Sequence, residues 1–228
     1  YLAKAPKLSA DSYFSGDYTR GLSDYLDDSF PLRKNWISLH TGLELLQGRR
    51  QVNGVYIAKD RMLEISEPIE LSSLDGSLEA IRNFSDAMGN VHVMLVPTAA
   101  QIYSDILPKD ADALNQKALI DYAYEKLSGS ARTVNVYNSL RAEREEYIYY
   151  RTDHHWTSLG AYIGYKEAAK SLGFTPVGLE RFNIRHASHS FSGSLYSKTL
   201  YSKTEPDTID FYIPISGKAR LETDDELA

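Results

Sequence analysis

The sequence contains no cysteine among its 228 residues. This absence excludes disulfide bonds, thiolate nucleophiles and cysteine-based zinc sites, so that a catalytic nucleophile would have to be an oxygen or nitrogen atom. No apolar run approaches the roughly 20 residues that span a bilayer. Lys and Arg number 25 against 31 Asp and Glu. The resulting net charge of −6 argues against sequence-independent binding of nucleic acid, and we expect no nucleic-acid partner.

The composition is that of a folded globular protein, with 43% apolar and 25% charged residues. Helical spacing of apolar residues predicts helices at 72–88, 110–127 and 158–172. Between them, apolar runs at 91–96 and 133–137 predict buried strands. This alternation indicates βαβ units and therefore an α/β layered fold.

The whole chain, residues 1–228, is interpreted as a single domain in three parts. Residues 1–50 form a helical N-terminal segment. Residues 51–172 form the α/β core, which opens with a hairpin whose strands flank a polar tripeptide at 59–61. Residues 173–228 are predicted to be mostly loop, with one clear strand near the end.

The segment at 150–157, which reads Tyr-Arg-Thr-Asp-His-His-Trp-Thr, carries the most evident chemistry. It lies between a short aromatic strand predicted at 147–150 and the helix predicted at 158–172. In a parallel sheet this junction lies at the carboxyl end of the strand, where ligands of open α/β sheets usually bind. The segment is therefore the candidate site.

Asp153 and His155 are the candidate catalytic pair within this segment. A carboxylate two residues before a histidine can orient the imidazole, which then acts as general base toward a hydroxyl nucleophile. In extended backbone the side chains of Asp153 and His155 project to the same side, and His154 points away. The predicted substrate-binding residues are Tyr150, Arg151, His154, Trp156 and Thr157. Thr157 is also a candidate N-cap of the helix that follows.

Two other interpretations of these residues stay open. A carboxylate-histidine pair at a helix start can be only a capping and hydrogen-bonding cluster. Asp153, His154 and His155 could also ligate a metal, as in a metal-dependent phosphoesterase, although adjacent histidine side chains usually diverge and no further ligand motif follows the strand at 91–96. We predict no metal and no other cofactor.

At Asp153-His154-His155-Trp156 the sequence resembles the DHHW family of bacterial proteins and, more distantly, the SGNH-hydrolase-like alginate acetyltransferase group. The similarity extends to residues 53–63, to the strand that ends in Pro97, and to a Phe-x-Gly-x-Leu element at 191–196. It covers most of residues 25–200.

The resemblance implies a three-layer α/β/α, flavodoxin-like fold with a mostly parallel sheet. It also implies an extracytoplasmic protein of the bacterial cell envelope, secreted or held by a membrane tether outside this chain. The implied activity is O-acetyl transfer or ester hydrolysis on a polysaccharide or another acylated glycan, with Asp153 as orienting acid and His155 as general base of a Ser-His-Asp triad. A non-catalytic carbohydrate-binding module of the same fold is the alternative.

The serine of that triad has no counterpart in this chain. In these families the serine lies downstream, in a strand-to-helix turn after an apolar run. The downstream serines here neither follow an apolar strand nor precede a predicted helix, so they are expected to be loop hydroxyls: Ser188, Ser190, Ser192, Ser194, Ser197 and Ser202. We therefore expect that the last βα units of the family domain are missing and that this chain alone is inactive or nearly so.

Overall fold

A computed structural model of the protein describes residues 4–108, 111 and 114–215. The helices are α1 (Ala10–Phe14), α2 (Asp17–Ser29), α3 (Arg33–Leu46), α4 (Leu71–Met88), α5 (Ala99–Ile102), α6 (Gln116–Leu127), α7 (Tyr137–Ala142), α8 (Ser158–Leu172) and α9 (Ser194–Thr199). The strands are β1 (Gln51–Val52), β2 (Val55–Ile57), β3 (Met62–Glu64), β4 (His92–Val93), β5 (Arg132–Thr133), β6 (Phe182–Phe191) and β7 (Asp207–Pro214).

The N-terminal part is helical, as its pattern predicts, and it is joined to the end of the fold. The hydroxyl of Thr41 in α3 donates to the carbonyl oxygen of Thr199 in α9 over 2.6 Å. Both residues are buried. This hydrogen bond connects residues 158 positions apart in the chain.

The hairpin predicted around residues 59–61 is confirmed. Strands β2 and β3 pair antiparallel, and β1 adds a third strand to the same sheet. Val55 and Met62 are fully buried and pack against Leu195 of α9. The hairpin therefore supports the C-terminal helix.

A parallel strand pair is present, but it is shorter than the sequence predicts. Strands β4 and β5 pair through His92 with Arg132 and Val93 with Thr133. Within the described part of the chain they pair with each other alone, so the rest of the run at 91–96 has no partner ladder. The prediction that this run is buried on both faces is wrong, because Val96 is 39% exposed.

The predicted aromatic strand at 147–150 is not a strand. Its one ladder contact is an antiparallel bridge between Tyr149 and Trp156. The candidate site is thus a turn closed by this bridge, rather than the end of a parallel strand. Helix α8 begins and ends as predicted, with Gly173 in the left-handed conformation after its last residue.

The prediction of a mostly loop C-terminal part is wrong for the described residues. Strands β6 and β7 form an antiparallel pair with irregular register after His186, and α9 lies between them in sequence. Residues 182–191 are mainly exposed, so the strand carries little of the apolar alternation by which a strand is predicted. The end of the part predicted as 173–228 lies outside the described residues.

The largest core cluster lies beneath the candidate site. It joins β3, α5, α7 and α8 and contains these buried residues: Leu63, Ala99, Ala100, Ile102, Tyr103, Val136, Leu140, Ile148, Tyr149 and Ile163. A second cluster joins α4 to α6 through Leu78, Ala123 and Leu127. In the ranges that the structure describes, no helix combines the length and hydropathy required to cross a membrane.

Replacing Leu127 by Ala should lower the free energy of unfolding by about 2–5 kcal/mol, because the fully buried side chain leaves a cavity between α4 and α6. Urea denaturation measures the change. The control is Leu39→Ala, whose side chain is half exposed and which should shift stability by no more than about 0.5 kcal/mol. Equal effects of the two substitutions would contradict the described core.

Candidate active site

The candidate loop is fixed at both ends by buried groups. Ile148 and Tyr149 belong to the main core cluster, and the backbone N–H of Thr157 donates to the carbonyl oxygen of Ile148 over 2.9 Å. The hydroxyl of Thr157 donates to the carbonyl oxygen of Tyr147 over 2.6 Å. The same hydroxyl accepts from the N–H of Gly160, so Thr157 is the N-cap of α8.

Trp156 lies against α8. A Cβ placed at Gly164 would come within 2.9 Å of the Cη2 atom of Trp156, and one at Gly160 would overlap its Cβ. Gly164 thus makes the room in which the indole packs, whereas a Cβ at Gly160 would first meet the carbonyl oxygen of Ile148. Trp156 is partly buried against the main core cluster, and this contact fixes the end of the loop on the helix.

The carboxylate of Asp153 is the centre of the site. Its Oδ1 accepts from Nδ1 of His155 at 2.6 Å and from the backbone N–H of the same residue at 3.0 Å. Its Oδ2 accepts from the backbone N–H of Ser194 at 2.8 Å. Burial alone would raise the pKa of Asp153, but these hydrogen bonds outweigh burial and lower its pKa to about 2.

This hydrogen bond sets the chemistry of His155. Because the ionised carboxylate of Asp153 can only accept, Nδ1 of His155 must carry the proton. The neutral ring then has its lone pair on Nε2, the nitrogen that faces away from Asp153. The side chain of His155 is 66% exposed, whereas that of Asp153 is 8% exposed. Asp153 is therefore a fixed hydrogen-bond acceptor, and His155 is a base that solvent can reach.

The prediction that His154 points away from Asp153 is wrong. Its ring centroid lies 3.9 Å from that of His155, and its Nδ1 lies 3.8 Å from Oδ1 of Asp153. The backbone here is bent instead of extended, so the alternation of side chains along a strand does not apply. His154 also lies 2.7 Å from the hydroxyl oxygen of Ser194, and Ser194 begins α9 instead of lying in a loop.

The Phe-x-Gly-x-Leu element binds the candidate loop with consecutive backbone N–H groups. The N–H of Gly193 donates to Oγ1 of Thr152 at 3.0 Å, and those of Leu195 and Tyr196 both donate to the carbonyl oxygen of Thr152 at 3.0 Å. A Cβ on Gly193 would overlap the side chain of Asp153. Sequence reasoning used this element only as a sign of resemblance, although its glycine is the signal of a close approach.

Tyr150 and Arg151 lie on the partly exposed side of the loop. The Tyr150 ring meets Phe191 edge-on at a centroid distance of 5.6 Å. The guanidinium carbon of Arg151 lies 4.8 Å from the ring centroid of Tyr147. The backbone of Arg151 is held by Met62, whose N–H donates to its carbonyl oxygen at 2.8 Å. A role of these residues, His154, Trp156 and Thr157 in substrate binding stays a prediction.

Asp153, His154 and His155 bring donor atoms within 4.8 Å of one another, which is close enough for a shared metal ion. The expectation that the adjacent histidines diverge is therefore wrong. However, Asp153 Oδ1 and His155 Nδ1 are already hydrogen-bonded to each other, and Nδ1 of His154 is within hydrogen-bond distance of Ser194. A metal ion would have to replace these hydrogen bonds. The existing contacts are therefore those of an acid-base pair rather than of a preformed metal site.

Comparison with known proteins identifies the group to which these features belong. Residues 71–226 match the family model described as DHHW protein. The chain belongs to the DHHW family. A DHHW family protein of known structure from Eubacterium siraeum is 30% identical and superposes with a TM-score of 0.60, over 72% of this chain and 55% of that one.

Two further relatives are similar to this chain. The probable alginate O-acetylase AlgJ of Pseudomonas putida is 22% identical over 173 residues, 69% of this chain and 44% of that protein. The structure of Bacillus cereus PatB1 with a sulfonyl adduct has a TM-score of 0.59 at 17% identity, over 72% of this chain and 57% of that one. The chain thus spans about half the length of these relatives. The superpositions on the Eubacterium siraeum protein and on PatB1 confirm the predicted α/β, SGNH-hydrolase-like fold.

Replacing Gly193 by Ala should displace Asp153, because the new Cβ overlaps its side chain. With its hydrogen bonds to Ser194 and His155 weakened, the pKa of Asp153 should rise from about 2 toward its ordinary value of 3.8. Carboxyl ¹³C NMR titration measures the change. Gly76→Ala is the matched control, since a Cβ at this helical position meets open space; a pKa of Asp153 that is the same in both variants would refute the overlap.

The depressed pKa of Asp153 also predicts how stability depends on pH. The folded-state pKa of about 2 lies below the ordinary value of 3.8, so the carboxylate stabilises the fold above about pH 4 and loses this effect as pH falls toward about 2. The stability difference between the native protein and Asp153→Asn should narrow by about 1–2 kcal/mol over this range, after allowance for solvent screening. Urea denaturation at several pH values measures it, and a constant difference would contradict the assignment.

Proposed function

We propose that Asp153 and His155 are the acid and the general base of a Ser-His-Asp site for O-acetyl transfer or ester hydrolysis on a cell-envelope polysaccharide. The observation that carries the proposal is the 2.6 Å contact between Nδ1 of His155 and an ionised, buried carboxylate. It leaves Nε2 free to accept a proton at an exposed position. In this proposal the nucleophilic serine is not one of the described residues, because none of their serines is hydrogen-bonded to His155.

The proposed reaction uses His155 twice. Nε2 takes the proton of the serine hydroxyl while the serine oxygen attacks the carbonyl carbon of the acetyl donor. When the tetrahedral intermediate collapses, the leaving oxygen of the donor takes that proton, and an acetyl-serine remains. A glycan hydroxyl then gives its proton to Nε2 and attacks the acetyl group, after which the serine oxygen recovers the proton. Water in place of the glycan gives hydrolysis.

Asp153 makes these proton transfers possible without taking a proton itself. Its carboxylate fixes the ring of His155 and stabilises the imidazolium that forms in each half of the reaction. The ring of His154, tilted by 36° with its centroid 3.9 Å from that of His155, limits the rotation of the His155 ring. No metal and no organic cofactor is needed in this scheme.

The substrate proposed for this site is an acylated glycan. The alginate O-acetylase from Pseudomonas putida, to which the chain is 22% identical, is named for a polysaccharide substrate. Arg151 offers a guanidinium that can bind a carboxylate of a uronic acid, and Tyr150 offers a ring that can pack on a sugar face. Trp156 and Thr157 would act by holding the loop on α8. The proposal includes an extracytoplasmic location, since the glycans of the cell envelope lie there.

Ser194 is a second candidate for the nucleophile. Its hydroxyl oxygen lies 2.7 Å from Nδ1 of His154, which is the distance expected of a nucleophile and its base. The contacts of Asp153 favour a serine that pairs with His155 instead, because the Oδ1 atom of Asp153 lies 2.6 Å from Nδ1 of His155 and 3.8 Å from Nδ1 of His154.

The test measures hydrolysis of 4-nitrophenyl acetate by residues 1–228 and by the full gene product. We expect turnover only in the full gene product, reduced about 10³–10⁴-fold by His155→Ala or Asp153→Asn, because each removes a member of the triad. Acetyl transfer to an oligosaccharide, followed by mass spectrometry, then identifies the acceptor.

The other outcomes identify the alternatives. Turnover by residues 1–228 that Ser194→Ala abolishes would establish the second candidate. Glycan binding without any His155-dependent turnover, in both proteins, would favour a non-catalytic binding module. Activity that rises on addition of Mn²⁺ or Zn²⁺ and is lost with a chelator would point to a metal-dependent enzyme.

A further inference from the structure

Asp207 is a fully buried acidic residue at the start of β7. Its Oδ1 accepts from the backbone N–H of Arg151 at 2.7 Å and from the hydroxyl of Tyr147. Its Oδ2 accepts from the backbone N–H of Thr152 at 2.8 Å and from the hydroxyl of the same residue. Both oxygens of a carboxylate that no solvent reaches are thus satisfied by one short stretch of chain.

All of these donors belong to residues 147–152, immediately before Asp153. A buried carboxylate is costly unless such donors surround it, and here the donors include two successive backbone N–H groups. They fix the direction in which the chain enters the candidate loop. Asp207 is distant in sequence and belongs to the β6–β7 pair, so this contact joins the C-terminal strands to the loop.

Thr152 connects Asp207 to the candidate loop and to the Phe-x-Gly-x-Leu element. Its hydroxyl donates to Asp207 and accepts from the N–H of Gly193 at 3.0 Å, so it is fixed from two sides. Its carbonyl oxygen accepts from Leu195 and Tyr196. The next residue in the chain is Asp153, whose carboxylate orients His155.

We propose that Asp207 is a positioning residue of the Asp153–His155 pair and that it acts through Thr152. The catalytic meaning of this role rests on the proposed function, but the positioning itself can be measured without turnover. The role is specific to a carboxylate. Asparagine has the same shape, yet in either orientation its NH₂ group would face a backbone N–H, of Arg151 or of Thr152.

The test follows the proton on Nδ1 of His155 by ¹H and ¹⁵N NMR of histidine-labelled protein, residues 1–228, at about pH 8, where imidazole is mostly neutral. The native protein should have His155 in the Nδ1–H form, with the Nδ1 signal characteristic of a protonated ring nitrogen. Asp207→Asn should abolish this signal and give a mixture of the two neutral forms, because Asp153 is no longer held in place.

Thr152 supplies a matched pair of variants. Thr152→Val removes the hydroxyl that joins Asp207 to Gly193 and should also abolish the His155 signal. Thr152→Ser keeps that hydroxyl and should retain the signal. Leu127→Ala, which destabilises the distant α4–α6 cluster, should retain it as well. This control separates positioning from a general loss of stability.

Each possible result either supports or overturns the positioning role of Asp207. Loss of the signal in Thr152→Val with retention in Thr152→Ser supports it, even if Asp207→Asn does not fold. A native Nδ1–H signal in folded Asp207→Asn or in Thr152→Val overturns it, as does its loss in Leu127→Ala. If the variants behave as expected and the full gene product has no His155-dependent turnover, the positioning role stands and the proposed function fails.

Discussion

The site depends on backbone N–H groups that hold one buried carboxylate. Asp153 is hydrogen-bonded to the N–H of Ser194 and to His155, and Thr152 is held by three N–H groups of the same Phe-x-Gly-x-Leu element. Such donors do not titrate near neutral pH and cannot rotate away, so they keep the carboxylate ionised despite burial. Without them Asp153 would be an ordinary acid in a surface turn, and His155 would have no fixed partner.

The fold contributes by bringing three distant segments together at this carboxylate. The main core cluster fixes the residues before the loop, α8 receives Trp156 on Gly160 and Gly164, and α9 is placed by the hairpin through Leu195. The loop itself contains little regular structure. Its geometry is therefore a product of the packing around it, which explains how an exposed histidine can have a well-defined orientation.

Sequence reasoning predicted what depends on local pattern. Helix α8 follows from its spacing and from Gly173. The pairing of Asp153 with His155 is predicted from an extended backbone, and it is present although the backbone is bent. The predictions were wrong where contacts between residues distant in sequence determine the local structure. His154 turns toward Asp153 because the backbone bends, the strand β6 lacks an apolar face, and the run at 91–96 forms a shorter strand than its composition predicts. Ser194 and Asp207 reach the site only through tertiary structure. Gly193 beside Ser194 is a sign of a close approach, but nothing in the residues next to Asp207 indicates its place.

In the proposed function, His155, oriented by Asp153, activates a serine. Labelling of the full gene product with phenylmethylsulfonyl fluoride is the sharpest test, because sulfonyl fluorides react with serines that a neighbouring base activates. Peptide mass spectrometry locates the modified residue. We expect one sulfonylated serine, and its labelling should be lost in His155→Ala and in Asp153→Asn. Labelling that is the same in the native protein and in both variants, or no labelled serine at all, would contradict it.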